Sequence, residues 1–183
     1  MKKLADLLTG MRFILAGWIA FTAWSYLPEE AMGRLVALLL IAWTSDVLDG
    51  ALARRSGSSQ QTWLGSLDLE ADLSVSLALA FSLAVWGGAS TYLLVAVLLA
   101  GTIGWVLFRS VAPINLGMGM IYGLFILMAW RQETVFALVI LGWLGAAILF
   151  NPTRAHQQVS GFLSESRRII LGETYNAPQE KEG

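Results

Sequence analysis

Four aspartates carry most of the chemical information in this chain. Asp46 and Asp49 lie three residues apart and Asp68 and Asp72 four apart, each pair within an otherwise apolar run. At ~100° per residue, a helix sets the first pair about 60° apart and the second about 40° apart, so each pair shares one helix face. Ionisable groups are rare in membrane-spanning runs, and by default they mark function. Four uncompensated carboxylates brought together would be very unfavourable, so either several are protonated or cations sit between them. Oxygen donors with no His or Cys among them select Mg²⁺, Mn²⁺ or Ca²⁺ over zinc or copper. Two such ions sharing carboxylates form a clamp suited to phosphoryl chemistry.

The neighbouring residues fit a ligand of that kind. Gly50 and Ala53 continue the Asp46 stripe and leave a groove where a ligand can approach the backbone. Arg54 follows, where a guanidinium can pair with phosphate oxygens. Gly65, Asp68, Asp72 and Ser76 form a second polar, small-residue stripe, whereas Glu70 points about 200° from Asp68. The aspartates could instead cap helix ends or pair with Arg54 and Arg55, but four of them on two facing stripes favour a site.

The elements that must position these stripes are membrane spans. Of 183 residues, 56% are hydrophobic and only 14% charged, against about 25% charged in a soluble domain. Runs approaching the roughly 20 apolar residues that a spanning helix needs occur at about 12–27, 34–53, 63–86, 91–110, 114–130 and 134–150. Turn signals separate them: Pro28-Glu29-Glu30, a Gly- and Ser-containing stretch at 55–61, Gly87-Gly88, Ala112-Pro113, Arg131-Gln132-Glu133 and Asn151-Pro152. The fifth run is among the shortest, and its Gly117, Gly119 and Gly123 suit close helix packing. Residues 4–12 read as an N-terminal interfacial segment. Residues 153–173 read as a C-terminal amphipathic helix mixing Val159, Phe162, Leu163 and Ile170 with Arg154, Arg167 and Arg168. The expected fold is thus all-α integral membrane with six transmembrane helices, a membrane domain over 1–152 and a cytoplasmic amphipathic segment with a disordered tail over 153–183.

The loop between the two aspartate pairs puts both near one membrane surface. Basic residues near helix ends give the orientation. An inside N-terminus places Lys2, Lys3, Arg12, Arg54, Arg55, Arg109, Arg154, Arg167 and Arg168 on the cytoplasmic side, leaving Arg34 and Arg131 outside. Both termini are then cytoplasmic, and the short loops suggest a prokaryotic inner membrane. A net charge of -1 gives no reason to expect nucleic acid. With no cysteine, disulfide, thiol and thiolate–metal chemistry are excluded. No small-residue cleavage site ends the first apolar run, so it reads as a span and not as a signal peptide.

The run Asp46-Val47-Leu48-Asp49-Gly50-Ala51-Leu52-Ala53-Arg54, followed by Gly65, Asp68 and Asp72, resembles the signature of the CDP-alcohol phosphatidyltransferases, D-x-x-D-G-x-x-A-R then G-x-x-x-D-x-x-x-D. Leu8-Thr9-Gly10-Met11-Arg12 is similar to the L-T-x-x-R that opens many members. The resemblance covers roughly residues 4–150. Two departures mark a divergent branch: two residues instead of three separate Gly65 from Asp68, and Asp6 stands where many relatives have Asn.

The resemblance implies an enzyme of phospholipid biosynthesis that transfers a phospho-alcohol group, such as phosphatidyl, from a CDP-linked lipid donor to a small alcohol acceptor and releases CMP. It implies two Mg²⁺ or Mn²⁺ ions held against the donor diphosphate by Asp46, Asp49 and Asp68, with Asp72 both a ligand and the general base. Gly50, Ala53 and Gly65 would accommodate the donor, and Arg54 would help neutralise departing CMP. A homodimer is common among relatives. Arg109 could bind an acceptor's phosphate or simply snorkel to the interface, and His156 reads as a surface residue. Trp18, Trp63, Trp86, Trp130 and Trp143 read as interfacial or lipid-facing anchors. Two other functions remain open: a divalent-cation transporter or channel using the same aspartates, and a catalytically inactive relative. A transporter would favour a site near the midplane, whereas these carboxylates lie towards one surface.

Overall fold

Short connections decide the topology. A computed structural model describes the backbone of residues 2–56, 67–108 and 110–150, together with 152, 160, 161, 163, 164 and 167; side chains are described from residue 7 onward, except over 49–56. Among the described residues six helices follow one another: α1 (Lys2–Ser25), α2 (Pro28–Ser56), α3 (Asp68–Val85), α4 (Thr91–Phe108), α5 (Ala112–Gln132) and α6 (Thr134–Phe150). Only Tyr26 and Leu27 separate α1 from α2, and Glu133 alone separates α5 from α6. Links that short fold each helix back along its predecessor. α1 packs along both α2 and α3, while α5 packs against α3, α4 and α6, and α2 reaches α5 and α6.

The chain is an all-α integral membrane protein. Leu7–Ser25, Pro28–Leu48, Thr91–Phe108 and Ala112–Gln132 are long and apolar enough to cross a membrane. Helix α6 is equally apolar in character but has 17 residues, and α3 opens with Asp68, Glu70 and Asp72. The interior is filled by fully buried Ile19, Leu35, Leu39, Leu79, Leu83, Ile121, Phe125 and Ile140. Outward faces are just as apolar, with Ile14, Trp18, Phe21 and Trp24 exposed on α1 and Leu99, Ile103, Val106 and Leu107 exposed on α4. Water would penalise such faces, whereas lipid tails solvate them as readily as the core does.

Several expectations from the sequence are corrected. The N-terminal segment at 4–12 is not a separate element: it forms part of α1, which runs unbroken from Lys2 to Ser25. Pro28-Glu29-Glu30 is the first turn of α2 and not a loop. Proline is preorganised for the first helical position, and acidic side chains there complement the helix dipole. Likewise Pro113 sits at the start of α5, making it a 21-residue helix and not one of the shortest. The C-terminal amphipathic helix falls largely outside the described residues.

The close-packing glycines lie mainly on α4. A Cβ on Gly104 would stand 2.7 Å from the Pro113 Cβ, and one on Gly101 would stand 3.4 Å from the Pro113 carbonyl oxygen. These two glycines let α4 and α5 approach, as small residues do in lipid. Gly117 faces Val97, but Gly119 and Gly123 have nothing within 4 Å of an added Cβ. At the other end of α3, Gly87 adopts φ 68°. The Gly88 amide then donates to the Leu83 carbonyl at 2.8 Å and the Gly87 amide to Ala84 at 3.4 Å. This closes the helix with a left-handed glycine of the Schellman type.

Candidate active site

Helix periodicity does what the aspartate spacing requires. Asp46 lies late in α2, while Asp68 and Asp72 fall on the first two turns of α3, one above the other. Both helices flank α1, and there a buried arginine joins them. Arg12 has 1% of its surface exposed, one turn beyond the fully buried Thr9. Its Nη1 donates to Asp72 Oδ1 at 2.6 Å and to Asp46 Oδ1 at 3.5 Å, and its Nη2 donates to Asp68 Oδ1. Three carboxylates from two helices therefore converge on one guanidinium from a third.

Among the described residues, the three carboxylates share the one guanidinium of Arg12. The aspartates are only partly covered, at 26%, 51% and 39% exposure for Asp46, Asp68 and Asp72, so they remain accessible beside the buried arginine. The donor set is all oxygen, the chemistry that suits a hard divalent cation. As arranged, no three carboxylates among the described residues are spaced to hold one ion directly; the guanidinium lies among them.

Asp49, Gly50, Ala53 and Arg54 share α2 with Asp46, but their side chains lie outside the described residues, as do Gly65 and Arg109 altogether. Ser76 is fully buried one turn beyond Asp72, and its hydroxyl has no hydrogen-bond partner among the described residues. The second stripe thus runs from the carboxylate cluster into the core.

Sequence reasoning missed two parts of this region. Arg12 counts there only as a cytoplasmic-side charge and as the end of L-T-x-x-R, yet it is the hub of the cluster. The available signal was an arginine inside an apolar run, together with the need of clustered carboxylates for a cation, which a side chain can supply. The other part is aromatic. Trp43, one turn before Asp46, meets Tyr122 of α5 edge-on at 5.2 Å and Trp143 of α6 at 5.4 Å. Trp143 Nε1 also donates to Thr44 Oγ1 at 3.2 Å, so Trp143, half-buried, packs between helices. Trp86 is likewise recruited inward, donating to the carbonyls of Ala23 and Tyr26 at 3.0 Å each. Trp18 and Trp130 are exposed.

A family model described as CDP-alcohol phosphatidyltransferase matches residues 2–160. No curated protein and no solved structure gives a match. The matched span contains all six helices and every residue of the Arg12 cluster.

Proposed function

The chain belongs to the CDP-alcohol phosphatidyltransferase family, and from that premise we propose that it is a metal-dependent transferase moving a phosphatidyl-type group from a CDP-linked lipid to a small alcohol, with Asp72 as the general base. The observation that carries the reading is the convergence of Asp46, Asp68 and Asp72, from the two halves of the family motif, on the one buried guanidinium of Arg12.

In this reading Asp46, Asp49, Asp68 and Asp72 would hold Mg²⁺ or Mn²⁺. The ions would supply Lewis-acid neutralisation of charge on the diphosphate. The chain's own groups do the rest. Asp72 accepts a hydrogen bond from the acceptor hydroxyl, orients it and takes its proton as the oxygen attacks the lipid-side phosphorus. The new O–P bond forms as the bond from that phosphorus to the bridging oxygen breaks, and the electron pair leaves with CMP. Arg54 pairs with phosphate oxygens as a planar, permanently charged donor, and Gly50 and Ala53 leave room for the cytidine end. Helices α1, α2 and α3 hold the reacting groups in register, which lowers the barrier by prepaid positioning. The site opens towards the cytoplasmic leaflet, with both termini on that side.

The experiment is CMP release by purified protein given CDP-diacylglycerol, Mg²⁺ or Mn²⁺ and a panel of alcohols, beside an Asp72→Asn control. Metal-dependent release that one alcohol stimulates and the control lacks supports the reading and names the acceptor. Nucleotide binding without release with any alcohol points to another donor lipid or to an inactive relative. If neither nucleotide nor metal binds, the reading fails.

A further inference from the structure

A tyrosine reaches the carboxylates from the other side of the bundle. Tyr122 lies on α5, beside fully buried Ile121 and one turn before fully buried Phe125, so its place against the core is fixed. Its ring meets Trp43 edge-on at 5.2 Å, and Trp43 in turn lies 5.4 Å from Trp143, whose indole is bonded to Thr44. Trp43 hydrogen-bonds to the Tyr122 hydroxyl, and an indole can only donate. The same hydroxyl lies within electrostatic reach of Asp72 and, more weakly, of Asp46. We propose that Tyr122 binds the acceptor alcohol, its O–H donating to the oxygen whose hydrogen Asp72 takes. The inference rests on the transferase reading above and adds to it a group that holds the second substrate.

Two features favour a binding role over ring packing alone. The first is direction. A phenolic hydroxyl has one hydrogen and accepts at its oxygen. Trp43 takes an accepting position, which turns the hydrogen away from Trp43, and none of the described residues receives it. The second is chemistry. An acceptor alcohol gives its hydrogen to Asp72 and one lone pair to phosphorus, which leaves the other lone pair to accept. A neutral donor beside the base suits that lone pair, because it keeps its own proton throughout. As Asp72 draws off the alcohol's hydrogen, charge builds on the alcohol oxygen and the bond from Tyr122 strengthens. Trp43, wedged between Tyr122 and Trp143, presets the hydroxyl before the substrate arrives.

The test measures CMP release by full-length protein in micelles, with CDP-diacylglycerol as donor and glycerol phosphate, inositol phosphate and serine titrated separately as acceptors. Tyr122→Phe keeps the ring and removes one hydrogen bond, so kcat/KM for the acceptor should fall about tenfold or more. The KM for CDP-diacylglycerol should stay at the wild-type value. An unchanged acceptor kcat/KM, or a donor KM that rises with the loss, overturns the inference and leaves the transferase reading standing. No release by wild type with any of the three acceptors overturns both. Trp43→Phe supplies the second variant, and decides the matter if Tyr122→Phe does not fold. It removes the N–H that turns the hydroxyl, so acceptor kcat/KM should fall several-fold with donor KM unchanged. Added to Tyr122→Phe it should cost nothing further, because both changes act through one hydroxyl. Losses that multiply in the double variant, or a Trp43→Phe effect on donor KM, overturn the inference.

Discussion

Arg12 Nη1 lies 2.6 Å from Asp72 Oδ1, a contact that joins α1 to α3 across 60 residues of sequence. The arginine is buried and the carboxylate is open, so the pair has a fixed side and a working side. A carboxylate anchored through one oxygen by a buried cation is a well-oriented base.

Asp72→Asn keeps an acceptor oxygen for Arg12 and removes the capacity to take a proton. We expect CMP release to fall by about 10²- to 10⁴-fold, the usual worth of a positioned base. The unfolding midpoint in micelles should change little, because one of three mutually repelling charges has gone. A comparable loss of stability would assign Asp72 to the scaffold and not to the chemistry.

Chelation tests the carboxylate cluster from the other side. With EDTA in excess, CMP release should be lost, and either Mg²⁺ or Mn²⁺ should restore it. Asp46→Asn weakens an all-oxygen donor set by one charge, so restoration should require more Mn²⁺ than in wild type. A metal titration of the activity of both proteins reads the shift directly. Superimposable titrations would remove Asp46 from the ion site.

How much of this is legible from sequence depends on range. The stripes Asp46/Asp49 and Asp68/Asp72 can be read because spacings of three and four mean one face of one helix. The spans can be read because lipid selects long apolar runs. The position of Arg12 cannot, since it depends on which face of α1 meets α2 and α3, with partners 34, 56 and 60 residues away. Periodicity within one helix says nothing of its neighbour. Pro28 and Pro113 mislead for a local reason: proline reads as a breaker, yet the first turn of a helix has no amide bond for it to break. The packing glycines Gly101 and Gly104 go unnoticed because glycine is common in spans, and only the approach of Pro113 distinguishes them.

Gly104→Ala and Gly119→Ala make a controlled pair. Each gains about 1 kcal/mol of intrinsic helix propensity. At Gly119 the new Cβ meets nothing within 4 Å, so the variant should be as stable as wild type or more so. At Gly104 it would stand 2.7 Å from the Cβ and 3.0 Å from the Cγ of Pro113, a ring that cannot rotate away. Overpacking of this kind costs about 1–3 kcal/mol, and the unfolding midpoint of Gly104→Ala should fall below that of Gly119→Ala. Equal midpoints would mean that α4 and α5 separate easily.

Trp86→Phe probes the end of the bundle remote from the carboxylates. Trp86 Nε1 donates to both Ala23 and Tyr26 carbonyl oxygens at 3.0 Å, satisfying acceptors at the C-terminal end of α1 and tying that end to α3. Phenylalanine keeps most of the ring packing and removes the donor, which should cost about 1 kcal/mol. Eleven residues of helix separate Ala23 from Arg12, or about 16 Å along the axis. The rate of CMP release per folded molecule should therefore match wild type, while the unfolding midpoint drops. A fall in rate with no fall in midpoint would show that the tilt of α1 against α3 is set at this end and is felt at the Arg12–Asp72 contact.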